Sequence, residues 1–343
     1  MENELEIVVV KTADEAKEFV KKGFTPVECS FGNESVVDNL ELDHHGSMSD
    51  KESVAIRAYR DLFGKRAGNK KFVVNHIDAD NMFAIASISG MLPHPESEYA
   101  ASLPPFLQAT WKKDLTPLAE TIATMDTDPI GRDVLSMSYG QHLVMWDALY
   151  GNQARTPLEA LAGVEAWVNI TTNRNAGIFL EAARASEQAR IDMARADLNE
   201  RGQNAGDVFV IRNSRMFGFD VWYGRNPEEG KPTEVAGWEH PLVLSLTEEQ
   251  QNITIAAPNQ TVAEELLGKG GLKNVFDRLN ELYECPEGKG FGGRETIGGS
   301  PRGQVMTEED VRKIAVVVNQ VCKEQREERE QLKMQMMSNS FKR

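Results

Sequence analysis

The sequence predicts an α/β protein in which an open, mostly parallel sheet domain is joined by a helical connector to a smaller α/β C-terminal domain. Three observations lead to this prediction. Short apolar strands alternate with polar loops and helical segments over residues 7–90. Residues 175–200 are rich in Ala, Arg and Glu, and a second group of strands follows Gly202. Repeated strand, loop and helix are typical of an open sheet whose ligand site lies at the carboxyl ends of its strands.

The length of 343 residues predicts two domains. We place their boundaries at the changes in composition along the chain. The predicted divisions are a catalytic domain at 1–170, a helical connector at 171–205, a C-terminal domain with a glycine-rich loop at 206–310, and a charged C-terminal helix and tail at 311–343.

In the first domain, β-branched and apolar runs predict strands, and apolar residues at helical spacing predict the helices between them. The predicted strands are 7–10, 26–31, 36–42 and 72–74, and the predicted helices are 12–20, 49–62 and 82–90, followed by a mostly helical stretch at 103–168. In the second domain, the same criteria predict strands at 207–212, 217–223, 242–246 and 252–256 and helices at 261–267 and 275–282. Thr307 and Asp310 predict the start of the last helix.

Charge and cysteine content restrict the class of protein. The net charge of −15 opposes tight binding to long duplex DNA. We find no apolar run long enough for a membrane span and no secretory leader, so we expect no membrane partner. Three widely separated cysteines suit a reducing cytoplasm. The charged C-terminal helix is expected to be a solvated helix, or alternatively a contact in a homo-oligomer.

The strongest candidate site follows the strand at 72–74, where His76, Asp78 and Asp80 share one short loop. Carboxylates this close together resist joint ionisation unless a cation lies among them. Imidazole and carboxylate oxygens together suit Mn²⁺ or Mg²⁺. The alternative interpretation is that these polar residues only cap the next helix.

Two further acidic segments could contribute to a metal centre. Asp43, His44 and His45 follow an apolar strand, although three residues alone also fit a surface loop. Asp126 and Asp128 could complete or bridge a two-metal site, or form an ordinary Asp-Pro turn.

The glycine-rich loop in the C-terminal domain is a candidate anion site. Its candidate residues are Arg294, Gly298, Gly299, Ser300 and Arg302. Glycines allow backbone amides to approach an anion, and arginines can bind phosphate oxygens in pairs. The loop lacks the Gly-Lys-Ser/Thr sequence of a Walker A motif.

Taken together, these three pieces resemble the DHH phosphoesterase superfamily, which includes RecJ-like exonucleases, nano-RNases, cyclic-dinucleotide phosphodiesterases and family II pyrophosphatases. The matching residues are Asp43-His44-His45, the His76-Ile77-Asp78-Ala79-Asp80 strand end and the Gly298-to-Arg302 loop. The resemblance implies that His76, Asp78 and Asp80 bind a first ion, that Asp80 and His44 bind a second, and that His45 faces the scissile phosphate. Arg294 and Arg302 would then hold the substrate. Asp126 and Asp128 are the candidates for the bridging aspartate, with Asp38 in reserve.

This sequence departs from the family pattern in two ways. Asp43 precedes His76, whereas the family has the reverse order, and this implies a permuted sheet. Ser300-Pro301-Arg302 replaces the histidine that the family's glycine loop usually carries.

We therefore expect a phosphohydrolase with two metal ions, Mn²⁺ or Mg²⁺, acting on a small phosphate ester such as a short oligonucleotide or cyclic dinucleotide. Asp43 and His45 are the expected catalytic residues. The alternatives are a non-catalytic nucleotide-binding regulatory protein and a metal-dependent hydrolase of another bond.

Overall fold

A computed structural model describes residues 5–31, 34–36, 42–43, 52–65, 68–127, 133–150, 156–172, 176–248, 251–286, 290–301 and 304–340. The chain divides into two compact units, Met1–Ala189 and Arg190–Arg343. The mixed α/β class predicted from the sequence is confirmed, with a parallel sheet in the first unit and a mixed sheet in the second.

The helices and strands are numbered in chain order. The strands are β1 (Glu6–Val9), β2 (Thr25–Pro26), β3 (Ser30–Phe31), β4 (Glu34–Ser35), β5 (Lys71–Val74), β6 (Gly202–Ala205), β7 (Val208–Ser214), β8 (Val243–Thr247), β9 (Ile253–Ala256), β10 (Gly292–Gly293) and β11 (Ile297–Gly299). The helices are α1 (Ala13–Lys21), α2 (Val54–Asp61), α3 (Ala79–Ile88), α4 (Glu98–Ser102), α5 (Pro105–Trp111), α6 (Thr116–Thr127), α7 (Gly140–Tyr150), α8 (Pro157–Thr172), α9 (Ala176–Arg201), α10 (Phe219–Trp222), α11 (Gln260–Leu267), α12 (Lys273–Leu282) and α13 (Glu308–Ser340).

The sheet of the first unit has three parallel strands in the order β1-β5-β2. The central strand β5 is apolar, and Phe72, Val73 and Val74 are completely buried, as expected for a strand covered on both faces. Backbone pairing continues one residue beyond β2, where the Val27 amide donates to the Val73 carbonyl at 3.0 Å. The carboxyl ends of β2 and β5 therefore lie side by side.

Helix α3 follows β5 directly and is almost entirely buried from Asp80 to Ile88. Small and apolar residues on all of its sides suit a helix packed in a core rather than on a surface. Its N-terminus is fixed by a capping box, in which the Asp78 side chain accepts from the Asn81 amide at 2.9 Å and the Asn81 side chain accepts from the Asp78 amide. The polar loop at 75–78 is thus held between a buried strand and a buried helix.

The second unit contains a six-stranded sheet in the order β10-β11-β9-β8-β7-β6. Strands β7 and β8 are parallel, and the other neighbours are antiparallel. Helices α11, α12 and α13 cover apolar residues of this sheet, and its core includes Leu244, Ile255, Phe276, Ile314 and Val318.

Two strand predictions were wrong. Residues 217–223 contain helix α10 because Phe219 and Trp222 pack edge to face, and the Trp222 indole donates to the Ala194 carbonyl. The strand predicted at 26–31 is interrupted at Glu28, whose backbone has a positive φ of 47°. Residues 37–41 of the strand predicted at 36–42 lie outside the described part of the chain.

Helix α9 coincides with the predicted connector helix, and α13 begins immediately after Thr307 as predicted. No helix in the described part of the chain is both long enough and apolar enough to cross a bilayer.

Candidate metal centre

Polar side chains gather where β2 and β5 end. Glu28 follows β2, and His76 and Asp78 follow β5. Each of these three residues offers one ligand atom, and the three atoms lie within 4.8 Å of one another. Within the described part of the chain, Glu28, His76 and Asp78 are the acidic, histidine or cysteine side chains that lie close enough together to hold a metal ion.

Glu28 lies at a strained position of the backbone. Its φ of 47° lies in the left-handed region, which costs free energy for a residue other than glycine. The Glu28 amide is fixed by donation to the Leu42 carbonyl at 2.7 Å. The result is a completely buried glutamate directly beside the end of the central strand.

The electrostatics of Glu28 show that the cluster is rich in negative charge. Burial raises the pKa of Glu28 well above its ordinary value, and the charges of Asp80, Asp78 and Asp126 raise it further. A hydrogen bond with Asp80 contributes in the same direction. A proton on Glu28 therefore relieves repulsion among the carboxylates, and a bound cation would relieve it in the same way.

His76 and Asp78 form the more accessible side of the cluster. The His76 Nε2 and Asp78 Oδ2 atoms are 2.5 Å apart, and the two side chains are 19% and 31% exposed. The Asp78 Oδ1 atom is used in the α3 capping box, so its Oδ2 atom is the one directed to the cluster. This side of the cluster is the part that a ligand in solution can reach.

Asp80 is hydrogen-bonded to the residues at the start of α2. Its carboxylate accepts hydrogen bonds from the Ser53 hydroxyl, from the Val54 amide at 3.1 Å and from the Ala55 amide at 2.7 Å. A carboxylate at a helix N-terminus satisfies amides that have no partner within the helix. Asp80 thus joins the first turn of α3 to the first turn of α2, while its charge also acts on Glu28.

Asp43 is completely buried behind the cluster. Its Oδ2 atom accepts from the Ser30 hydroxyl and, at 2.5 Å, from the Ser35 hydroxyl. The Arg57 guanidinium donates to the Asp43 carbonyl at 2.8 Å. These contacts fix Asp43 next to the loop that contains Glu28.

Of the sequence-predicted metal ligands, His76 and Asp78 belong to this group of three, and the charges of Asp80 and Asp126 act on its third member, Glu28. His44, His45 and Asp128, as well as the reserve candidate Asp38, lie outside the described part of the chain.

Among the predicted anion-binding residues of the second unit, Gly298 and Gly299 lie in β11 and Ser300 follows it directly. The Ser300 hydroxyl accepts from the Ile253 amide at 3.0 Å, and the Ser300 amide donates to the Ile253 carbonyl at 2.9 Å. A Cβ atom on Gly298 would lie 2.6 Å from the Phe276 ring, and one on Gly299 would lie 2.1 Å from the Ile253 carbonyl oxygen. Close strand packing therefore accounts for both glycines.

Arg294 lies in the turn of the β10–β11 hairpin, and its amide donates to the Ile297 carbonyl at 2.7 Å. The Arg294 side chain is half-buried, and Arg302 lies outside the described residues.

Glu28 is the cluster member that sequence reasoning missed. Glu28 is far from the motif residues in the sequence, and the pairing of β2 with β5 places it beside His76. The available signal was a lone acidic residue inside the otherwise apolar run from Pro26 to Phe31. Neither a scan against models of known protein families nor a search of curated proteins finds a match for this chain.

Proposed function

We propose that this protein is a divalent-metal-dependent phosphohydrolase that acts on a small phosphate ester, such as a short oligonucleotide or a cyclic nucleotide. The observation that supports it most is the convergence of Glu28, His76 and Asp78 at the carboxyl edge of a parallel sheet. Ligand sites of open α/β sheets lie at this edge.

The donor set suits a divalent cation. One imidazole with two carboxylates matches the mixed nitrogen and oxygen ligands of Mn²⁺, and carboxylates alone would also suit Mg²⁺. The neighbouring carboxylates of Asp80 and Asp126 add negative charge and, after burial, help to raise the pKa of Glu28. A buried group of carboxylates without a cation is costly, so positive charge at this point would stabilise the folded chain.

A divalent ion supplies phosphoester hydrolysis with a water of lowered pKa and with positive charge near the phosphate oxygens. In our proposal Glu28, His76 and Asp78 hold the first ion, and Asp80 and Asp126 with His44 would contribute to a second. His45 is assigned to the substrate side of the reaction from the family resemblance, whereas Asp43 is completely buried behind the cluster.

The remaining assignments follow from charge. Arg294 and Arg302 are the proposed phosphate-binding cations of the C-terminal domain. The net charge of −15 favours a short substrate over a long polyanion, because few phosphates need to be neutralised.

The proposal is tested by metal titration and turnover in the same preparation. Mn²⁺ binding is measured by calorimetry, and hydrolysis is measured on bis(p-nitrophenyl) phosphate and on a panel of dinucleotides. We expect Asp78→Asn to lose Mn²⁺ affinity by about 100-fold and to lose turnover, since the charged ligand is removed while asparagine remains a good helix cap.

Asp133→Asn is the matched control. Asp133 also caps a helical turn, at Val134–Ser136, by accepting from the Leu135 amide at 3.1 Å. We expect this variant to bind Mn²⁺ and to turn over substrate as the wild-type protein does. Full Mn²⁺ occupancy without hydrolysis of any phosphate ester would contradict the proposal. Nucleotide binding without turnover would then favour a regulatory protein, and turnover of another bond would favour a different metal-dependent hydrolase.

A further inference from the structure

Asn75, the residue before His76, contacts the edge of the His76 ring that faces away from Asp78. The Nδ1 atom of His76 is hydrogen-bonded to the Asn75 Oδ1 atom, and Nε2 is hydrogen-bonded to the Asp78 Oδ2 atom, which a bound metal ion would replace as the partner of Nε2. Asn75 is only 5% exposed, so this contact is sheltered from water. The two ring nitrogens therefore have different surroundings, and only Nε2 is directed to the candidate ligand atoms of the cluster.

The orientation of the Asn75 amide is itself determined. Its Nδ2 atom donates to the Ser30 carbonyl, which can only accept. The Oδ1 atom must consequently face His76, and an amide oxygen is also only an acceptor. The hydrogen in the contact between Asn75 and His76 therefore belongs to Nδ1.

We propose that Asn75 is a positioning residue. It keeps the proton of the His76 ring on Nδ1 and so leaves Nε2 to bind the metal ion. This inference rests on the metal site of the proposed function and adds a residue that the sequence motifs did not single out. Metal-binding histidines generally donate their second ring N–H to a carboxylate, a carbonyl or water, and this contact fixes the tautomer and the orientation of the ring.

Hydrogen bonds through Ser30 link Asn75 to Asp43. Ser30 accepts from Asn75 through its carbonyl and donates to Asp43 through its hydroxyl. A hydrogen-bonded series thus connects His76, Asn75, Ser30 and Asp43. The Asn75 side chain that contacts the ring is therefore held by Ser30 of β3, which lies outside the metal-binding loop.

The test uses the full-length protein with ¹⁵N-labelled histidine, loaded with Zn²⁺ as a diamagnetic probe. The His76 signals are assigned from the spectrum of His76→Ala, since the chain has only six histidines. For the wild-type protein we expect zinc on Nε2 and a slowly exchanging proton on Nδ1. In Asn75→Ala we expect the slow exchange to be lost and Mn²⁺ affinity to fall by about 10–100-fold, the usual effect of removing such a partner.

Two further variants separate positioning from structural damage. Asn75→Asp retains an acceptor for Nδ1–H but loses the donor to the Ser30 carbonyl, so we expect the Nδ1 proton to exchange more slowly than in Asn75→Ala and faster than in the wild-type protein. Asn81→Ala removes a donor to the His76 carbonyl and half of the α3 capping box without touching the ring. We expect it to lower stability while the Nδ1 proton signal remains.

Each outcome separates this inference from the proposed function. Zinc bound through Nδ1, or an unchanged His76 spectrum in Asn75→Ala, overturns the role of Asn75 whether or not the protein hydrolyses phosphate esters. Loss of the Nδ1 proton in Asn75→Ala supports that role even if no turnover is found. Failure of the wild-type protein to bind either metal overturns both proposals, and the titration alone reveals it.

Discussion

The carboxyl edge of the first sheet and the β10–β11 hairpin of the second unit were both predicted to bind ligand, but their contacts differ in kind. At the sheet edge, burial and then the negative charges of Asp80, Asp78 and Asp126 raise the pKa of Glu28. In the hairpin, Gly298, Gly299 and Ser300 are engaged with backbone atoms and an aromatic ring of the same unit. A cluster of mutually repelling carboxylates has the chemistry of a cation site, whereas glycines in close contact with neighbouring strands are explained by the fold itself.

The largest expected effect on stability comes from Asp80. Replacing it by alanine leaves the Ser53 hydroxyl and the Val54 and Ala55 amides without their carboxylate partner. Since an unsatisfied buried donor costs about 1–3 kcal/mol, we expect Asp80→Ala to lower the free energy of unfolding by roughly 3 kcal/mol or more. Urea denaturation in the presence of a chelator measures this change without a contribution from metal.

Asp80→Asn is the companion variant, because its amide oxygen can still accept from the start of α2. We expect a smaller loss of stability than for alanine. Equal losses for the two variants would show that the charge of Asp80, and not its hydrogen bonds, anchors α2.

The second effect concerns the hairpin. A methyl group on Gly299 would lie 2.1 Å from the Ile253 carbonyl oxygen, so strands β9 and β11 would have to separate. We expect Gly299→Ala to lower stability by about 1–3 kcal/mol and to speed hydrogen exchange in the second unit. Gly68→Ala is the control, since a Cβ atom there meets no heavy atom within 4 Å. A fully stable Gly299→Ala protein with weakened phosphate binding would instead favour a ligand-binding role for this glycine.

The smallest effect is a pH dependence. Because the pKa of Glu28 is raised in the folded protein, the folded state keeps a proton that the unfolded state loses above the ordinary value of 4.5. The stability contributed by this proton is therefore present below pH 4.5 and is lost as the pH rises through the folded-state pKa.

In chelator, we expect the free energy of unfolding of the wild-type protein, relative to Glu28→Gln, to decrease as the pH is raised from about 5 to 8. Thermal unfolding across this range measures the difference. A difference that is constant with pH would mean that Glu28 ionises normally in the folded chain. Saturating Mn²⁺ should reduce the dependence, since a cation replaces the proton as the partner of the carboxylates.

The sequence was most informative where local pattern and tertiary structure agree. The apolar run at 72–74 and the small-residue segment after it correctly predicted β5 and α3, because a strand covered on both faces and a buried helix both require continuous apolar sequence. His76 and Asp78 were singled out for the same reason, since they occupy the polar interval between those two elements, and Asp80 lies in the first turn of α3.

The parts that could not be predicted depend on contacts between distant residues. Glu28 reaches the cluster only through the pairing of β2 with β5 and a left-handed backbone. The aromatic residues near Phe219 alternate like a strand but fold as a helix, because Trp222 finds its hydrogen-bond partner on α9. The structural role of Asp80 was likewise invisible, since its partners are in a helix 25–27 residues away.

Helix α2 supplies none of the candidate ligands, yet hydrogen bonds hold it in place at its first turn and at Tyr59. Asp80 holds its first turn, and the Tyr59 hydroxyl accepts from the Leu115 amide at 2.9 Å and donates to the Pro93 carbonyl at 2.9 Å. Tyr59 is almost fully buried, so both hydrogen bonds are protected from competition by solvent. If the cluster binds an ion as proposed, we therefore expect α2 to keep its place while the ion enters.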